Sequence, residues 1–455
     1  MNAGLLSLVW PGSGMDTLLA DEAWVEAMLS VEVALARTQA RLGVIPETAA
    51  GAIAEAAKAT HIDVAALARR ARGAGNPVVE LVRALTAATD EGAADYVHRG
   101  GTSQDILDSA TMVLAARALR HTDASLARVA DTLATLADEH RHTPMAARTL
   151  TQHAVPTTFG LKAAGWLTLV LDATERLRRT LTDLPVQLGG AAGTLAAYVE
   201  YARAAGVPAS GHAAALTEGV AAELGLRAPA VPWHTQRTPI ADLGWVSVVV
   251  TGALGKLAVD VLGASRTEVG EVAEASGGGS SAMPQKQNPV LATLIVSAAR
   301  QAPAYAAMLG QSMLAEDERS PGGWHSEWQP LRETLRLAGG AAHTAAELVS
   351  GLRVFPERLA ENLAMGGGTI VSERLGVVLA PVLGKAAAKE LLGRIARQAA
   401  AGEGRFADLV RAAPELTDAL DLEDLLAPEN YLGAADELVD RVLARHMTVT
   451  RDRPQ

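Results

Sequence analysis

The 455-residue chain contains no cysteine. Disulfides, thiolate metal sites and cysteine nucleophiles are therefore excluded together. Aromatic residues make up only 3% of the sequence, so large side chains fill little of its core. No alternating apolar and polar run rich in β-branched residues is long enough to predict a sheet. Basic residues are too few to balance the acids: the formal net charge is −11. That disfavours nucleic acid and anionic membranes as partners. The apolar stretch Leu5–Trp10 has no basic residue ahead of it, the first being Arg37, and does not read as a signal peptide. Leu243–Leu254 is shorter than the roughly 18 residues a membrane span needs, so it is expected in a buried core helix. There is no HExxH, Walker or Rossmann motif and the histidines are scattered, so no metal ligand set is expected. These absences make a cytoplasmic protein the expectation.

What is present is apolar and helical. Hydrophobic residues reach 49%, carried by Ala, Leu and Val, which suits closely packed helices. In Glu22–Leu42, Trp24, Met28, Val31 and Leu35 recur at helical spacing, and Gly43 supplies the stop. Ile106–Leu119 and Ala124–Ala137 repeat that period. Phe159–Leu184, Ile240–Val269 and Pro289–Leu314 are apolar around much of their circumference and predict helices of about 40 Å. Such helices need other helices on most sides, within the chain and in further copies of it. Breaks at residues 189–193, 276–281, 321–323 and 366–368 punctuate the pattern, and the tail past Thr448 is expected to fray. The expected architecture is all-α in three domains: 1–105, a central long-helix bundle over 106–355, and 356–455.

The chemistry concentrates in Ser276–Pro289. Three glycines and three serines make a loop, Pro289 suits the first turn of a following helix, and Lys286 is one of only six lysines. Backbone N–H groups at such a junction favour an anion. On composition alone the loop reads first as an ordinary linker between two helices, and otherwise as a flap that closes over a carboxylate. The string Gly279-Ser280-Ser281-Ala282-Met283-Pro284-Gln285-Lys286-Gln287-Asn288-Pro289 resembles the signature loop of the fumarase/aspartase superfamily, GSSxMPxKxNP. Gly101-Thr102-Ser103-Gln104-Asp105 and Arg148-Thr149-Leu150-Thr151-Gln152-His153-Ala154-Val155-Pro156 resemble its other two active-site segments. Further strings resemble its 3-carboxy-cis,cis-muconate cycloisomerase branch, which acts in aromatic breakdown. They are Val31–Ala40, Gly75–Pro77, Gln187–Gly190, Pro232–Arg237 and Trp324–Trp328.

The resemblance implies a fumarase/aspartase-like fold whose central helices form the core of a homotetramer, with sites shared between subunits. It implies a small di- or tricarboxylate substrate and no cofactor. The reaction would pass through an aci-carboxylate, a dianion that needs preplaced donors and positive charge. Ser280 would be the general acid/base, and Lys286 and Asn288 would stabilise its oxyanion or a substrate carboxylate. His153 is a candidate proton relay or a core side chain. Thr102, Ser103, Arg148, Thr149, Gln152, Gln236, Ser281, Met283 and Arg319 are candidates for holding substrate, with Arg148 equally readable as one half of a structural ion pair. His325 and Glu327 read either as polar site residues or as packing contacts.

The chain departs from the family pattern where substrate identity is decided. Leu150 stands where many relatives have histidine, Thr238 where many have an acid, and Asp317 where a histidine often precedes Glu-Arg. The expected activity is lactonisation of 3-carboxy-cis,cis-muconate by intramolecular carboxylate addition. The alternative is a lyase that releases fumarate from an adenylosuccinate-, argininosuccinate- or nitrosuccinate-type compound. A catalytically silent structural member is the remaining alternative.

Overall fold

The computed structural model describes residues 4–275, 278–279, 283, 286–416 and 420–451. Helices dominate and the fold is all-α, with three small two-stranded pieces that the sequence pattern did not announce. Where helices of 106–119 and 124–137 were expected, one helix runs from Ser103 to Glu139. Residues 120–123 contain neither glycine nor proline, so nothing interrupts it, and the Thr122 hydroxyl donates back to the Ala118 carbonyl. At 37 residues this helix is about 55 Å long. Phe159–Asp183, Thr238–Ala264, Val290–Gln311 and Gly323–Ser350 are the other long helices. The Thr238 helix stops five residues short of the expected Val269, because the Glu271 N–H turns back onto the Ala264 carbonyl. That helix is long and apolar enough to cross a membrane, yet 56% of its apolar window is buried.

The chain divides into two compact units. One comprises Met1–Leu126, Ala173–Gly252 and Leu294–Thr344; the other comprises Ala127–Asp172, Ala253–Thr293 and Ala345–Gln455. Every boundary between these segments falls inside one of the long helices.

In the first unit the Asp21–Arg41 helix buries Met28, Val31 and Leu35, as its periodicity predicts. Ala34 and Leu35 pack with Val186, Leu188, Tyr198, Leu216 and Val220. Gly339 and Gly340 sit mid-helix, where glycine costs about 1 kcal/mol against alanine. Their bare faces admit Met15 and Trp10, whose atoms would lie 2.4 and 2.7 Å from an added Cβ.

In the second unit Pro144–Thr149 (β1) and Gln152–Thr158 (β2) form an antiparallel hairpin with a register shift between Ala146 and Arg148. Val272–Glu274 (β3) pairs with Leu352–Val354 (β6), and Gly278–Gly279 (β4) with Gln287–Asn288 (β5). Leu375, Leu379, Leu391, Ile395, Phe406 and Val410 make its C-terminal core. The last helix runs from Ala435 to Arg451, past the Thr448 at which fraying was expected. Arg445 and His446 hold it through Asp172 and Asp131.

Candidate active site

In the first unit Thr102 and Ser103 open the Ser103–Glu139 helix. Neither hydroxyl has a hydrogen-bond partner among the described residues, so both are available at a helix N-terminus. The turn is fixed from within. Asp105, fully buried, accepts the Thr102 N–H at 3.3 Å, a capping interaction across the first turn. Its two oxygens also take the Gly189 and Gly190 N–H groups at 2.8 and 2.9 Å. The Tyr198 hydroxyl donates to it at 3.0 Å, and His234 Nε2 lies 2.9 Å away. Burial, then the Asp105 charge, pushes the Tyr198 phenol well above its ordinary pKa, which keeps it a donor. One carboxylate thus gathers the Thr102 turn, the 189–193 glycine loop and the Pro232–Arg237 stretch.

Of that last stretch, Gln236 is exposed and Arg237 is only 2% exposed. Arg237 donates to Asp108 at 2.8 and 3.2 Å and to Glu327 at 3.0 and 2.6 Å. Burial opposes its charge, but these two carboxylates hold its pKa above the ordinary value. Glu327 is pushed up by burial against the pull of Arg237. The stretch that supplies the substrate-holding candidate Gln236 therefore spends Arg237 on the core. Glu327 belongs to the same core cluster, while His325 is exposed and lies 2.9 Å from the Gly75 carbonyl. Arg319 differs: Nε donates to Gln104 Oε1 at 2.9 Å, its Nη2 is buried without an acceptor, and no carboxylate pairs with it among the described residues.

In the second unit the hairpin tip carries Thr149, Leu150, Thr151, Gln152 and His153, all exposed. Leu150 and Thr151 take left-handed backbone angles, φ 49° and 73°, as a two-residue hairpin turn of this type requires. Leu150 is 96% exposed. Arg148, opposite His153 in register, makes a two-pronged ion pair to Glu271 at 2.9 and 2.7 Å. Asn362 donates to the same carboxylate at 2.9 Å. Of the two readings open for Arg148, the structure realises the ion pair. Burial, then Arg148, lowers the His153 pKa, so its imidazole is neutral at neutral pH.

The loop's best candidates, Ser280 and Ser281, lie outside the described residues. Met283 and Lys286 are exposed, and the Lys286 N–H donates to the Met283 carbonyl. Lys286 and Asn288 line a cavity of about 490 Å³ with Arg266, Thr267, Glu274 and Phe355. The helix N-terminus beyond Pro289, expected to favour an external anion, already has one. Glu274 accepts the Leu291 and Ala292 N–H groups at 3.1 and 2.9 Å. Glu271 and Glu274, which organise this region, escaped the sequence reading. The signal was there: two acids three apart, ahead of a glycine- and serine-rich loop. Among the described residues no group of three His, Asp or Glu side chains is placed to hold a metal ion.

Comparison with known proteins follows the same segments. A family described as lyase matches residues 15–304, and the C-terminus of adenylosuccinate lyase matches residues 368–442. A nitrosuccinate lyase of Streptomyces davaonensis is 56% identical over 97% of this chain and 95% of its own length. A 3-carboxy-cis,cis-muconate cycloisomerase of Pseudomonas aeruginosa is 41% identical over 95% of this chain and 94% of its own. The solved 3-carboxy-cis,cis-muconate lactonizing enzyme of Pseudomonas putida superposes with a TM-score of 0.90 at 35% identity, covering 98% of this chain and 100% of that one.

Proposed function

Because the chain belongs to the fumarase/aspartase superfamily of lyases and cycloisomerases, we propose that it is a lyase that expels nitrite from nitrosuccinate and leaves fumarate. The observation that carries this is the likeness to nitrosuccinate lyase, 15 percentage points above that to the cycloisomerase (56% against 41%) and sustained through nearly the whole chain. It reverses the order expected from the sequence strings. Muconate cycloisomerisation becomes the second reading, favoured by the Pro232–Arg237 and Trp324–Trp328 likeness.

The chemistry of the described residues supports an anionic leaving group. A carbon next to one carboxylate gives its proton to the Ser280 oxygen, forming the aci-carboxylate. The electron pair then closes the double bond as the carbon–nitrogen bond breaks, and nitrite leaves with that bond's pair. Nitrite is stable as an anion and needs no proton from the protein. An amine leaving group needs a general acid. His153, neutral at neutral pH, is a poor acid, and Leu150 at the hairpin tip offers no proton at all. Arg319 and the Thr102 and Ser103 hydroxyls would take the carboxylates, with Gln236 at the rim. Lys286 and Asn288 would stabilise the serine oxyanion, with Ser281 and Met283 of the same loop beside the substrate. Thr149 and Gln152 would present polar groups from the hairpin.

In this proposal the Thr102 turn, the hairpin and the Ser280 loop meet in a cytoplasmic homotetramer. Other copies then cover Trp245 and Val259 of the Thr238–Ala264 helix, each about half exposed.

Purified protein offered nitrosuccinate, adenylosuccinate, argininosuccinate and 3-carboxymuconate tests the reading. Nitrite and fumarate in equal amounts from the first compound are expected. Lactone from the muconate with no nitrite from nitrosuccinate overturns the proposal in favour of the second reading. In Ser280→Ala, turnover at the wild-type rate removes the serine from the mechanism.

A further inference from the structure

We propose that Gln104 is a positioning residue: a neutral clamp that orients Arg319 while leaving its positive charge uncancelled for a substrate carboxylate. This rests on the reading of Arg319 as a carboxylate-binding residue.

Gln104 lies between Ser103 and Asp105 and is 1% exposed, so its amide serves neighbouring groups and not solvent. Nε2 donates to Asp108 Oδ2 at 3.1 Å and to the His234 carbonyl at 2.9 Å. Asp108 is held as a pure acceptor, since Arg237 and the Trp324 indole N–H also donate to it. Both acceptors thus demand the nitrogen end of the amide, and the oxygen end must face Arg319. There it accepts from Nε at 2.9 Å. The chemistry allows no flipped arrangement, because a flip would set an oxygen against a carboxylate and an amide nitrogen against a guanidinium.

The neutrality of this partner is the point. Arg237, in the same unit, meets two carboxylates and is electrically spent. Arg319 meets an amide, which fixes its plane through Nε and cancels none of its charge. A glutamate at position 104 would fit the space, pair with Arg319 and repel Asp108. A neutral side chain there keeps the cation ready for a carboxylate from outside.

The test compares Gln104→Glu, Gln104→Met, Arg319→Ala and the double variant Gln104→Glu/Arg319→Ala in the full-length protein. KM and kcat are measured on whichever of nitrosuccinate and 3-carboxymuconate the wild type turns over. Fumarate binding is measured by calorimetry, which needs no turnover, and thermal unfolding is recorded alongside. Gln104→Glu should raise KM and weaken fumarate binding by about tenfold or more, the scale of one lost charge-assisted hydrogen bond, with kcat changed far less. The effect should vanish when Arg319 is already alanine. If Gln104→Glu does not fold, Gln104→Met loosens the clamp without adding charge and should raise KM by a smaller factor. A merely structural glutamine would lower the melting temperature and leave KM and fumarate affinity of the folded protein unchanged, which overturns the proposal. If Arg319→Ala itself changes neither KM nor fumarate affinity, the carboxylate reading of Arg319 fails first, and the clamp with it.

Discussion

Arg237 follows the substrate-holding candidate Gln236 and Arg319 is itself such a candidate, yet the fold puts the two arginines to opposite uses. Arg237 is buried between Asp108 and Glu327 with the face of Trp233 4.8 Å from its guanidinium carbon. Arg319 is held by one neutral amide and keeps its charge. A guanidinium that the protein neutralises serves the fold, and one that it only orients is left for a ligand. Arg148 lies between the two. It meets a single buried carboxylate, yet its side chain remains 27% exposed.

The largest effect should come from breaking the buried member. Arg237→Ala strands Asp108 and Glu327 in the core and should cost about 3–5 kcal/mol of stability. Denaturant unfolding would show it as a lower midpoint or as loss of soluble protein. Arg319→Ala orphans no carboxylate, only the buried Gln104 oxygen, and should cost about 1 kcal/mol, its main loss appearing in KM. Equal destabilisation of the two variants would erase the distinction. Arg148→Ala should fall between them, at about 1.5–3 kcal/mol, since Glu271 keeps Asn362 as a donor. Smaller still, and opposite in sign, is the hairpin turn. Thr151→Gly places the residue that left-handed geometry favours where φ is 73°, and should stabilise the protein by about 1 kcal/mol. A loss of stability there would mean that the threonine side chain makes contacts worth more than the backbone strain.

Long helices were legible because their period and their punctuation agree. Ser103–Glu139 was misjudged only in continuity, since a short polar interval resembles a break until one notes that no residue in it stops a helix. The β1–β2 hairpin was not legible. Leu150 and Thr151 are poor residues for its turn, and the strands carry Arg148, Gln152 and His153 where a half-buried pattern would alternate. Candidate site residues were found by motif, but motif does not say which charges cancel. Arg148, Arg237 and Arg319 look alike in sequence. Their partners Glu271, Asp108, Glu327 and Gln104 lie between 90 and 215 positions away along the chain, the farthest being Gln104 from Arg319. Only the folded chain tells them apart.

The smallest expected effect is a titration, and it asks whether the Arg148–Glu271 pair also governs its neighbour. Burial lowers the His153 pKa from its ordinary value of 6.5, Arg148 lowers it further, and Glu271 pulls the other way. The unfolded chain therefore binds a proton at pH values where the folded chain does not. Stability is complete above pH 6.5 and declines as the pH falls from 6.5 through the folded-state value. His153→Gln should flatten that slope. Arg148→Ala should act in the reverse sense, because it removes the repelling cation and leaves the Glu271 charge unopposed. An NMR titration of the imidazole should then move upward, toward or past 6.5. A wild-type imidazole that already titrates above that value, or one that ignores Arg148→Ala, would separate His153 from the pair and remove the basis for calling it a poor acid.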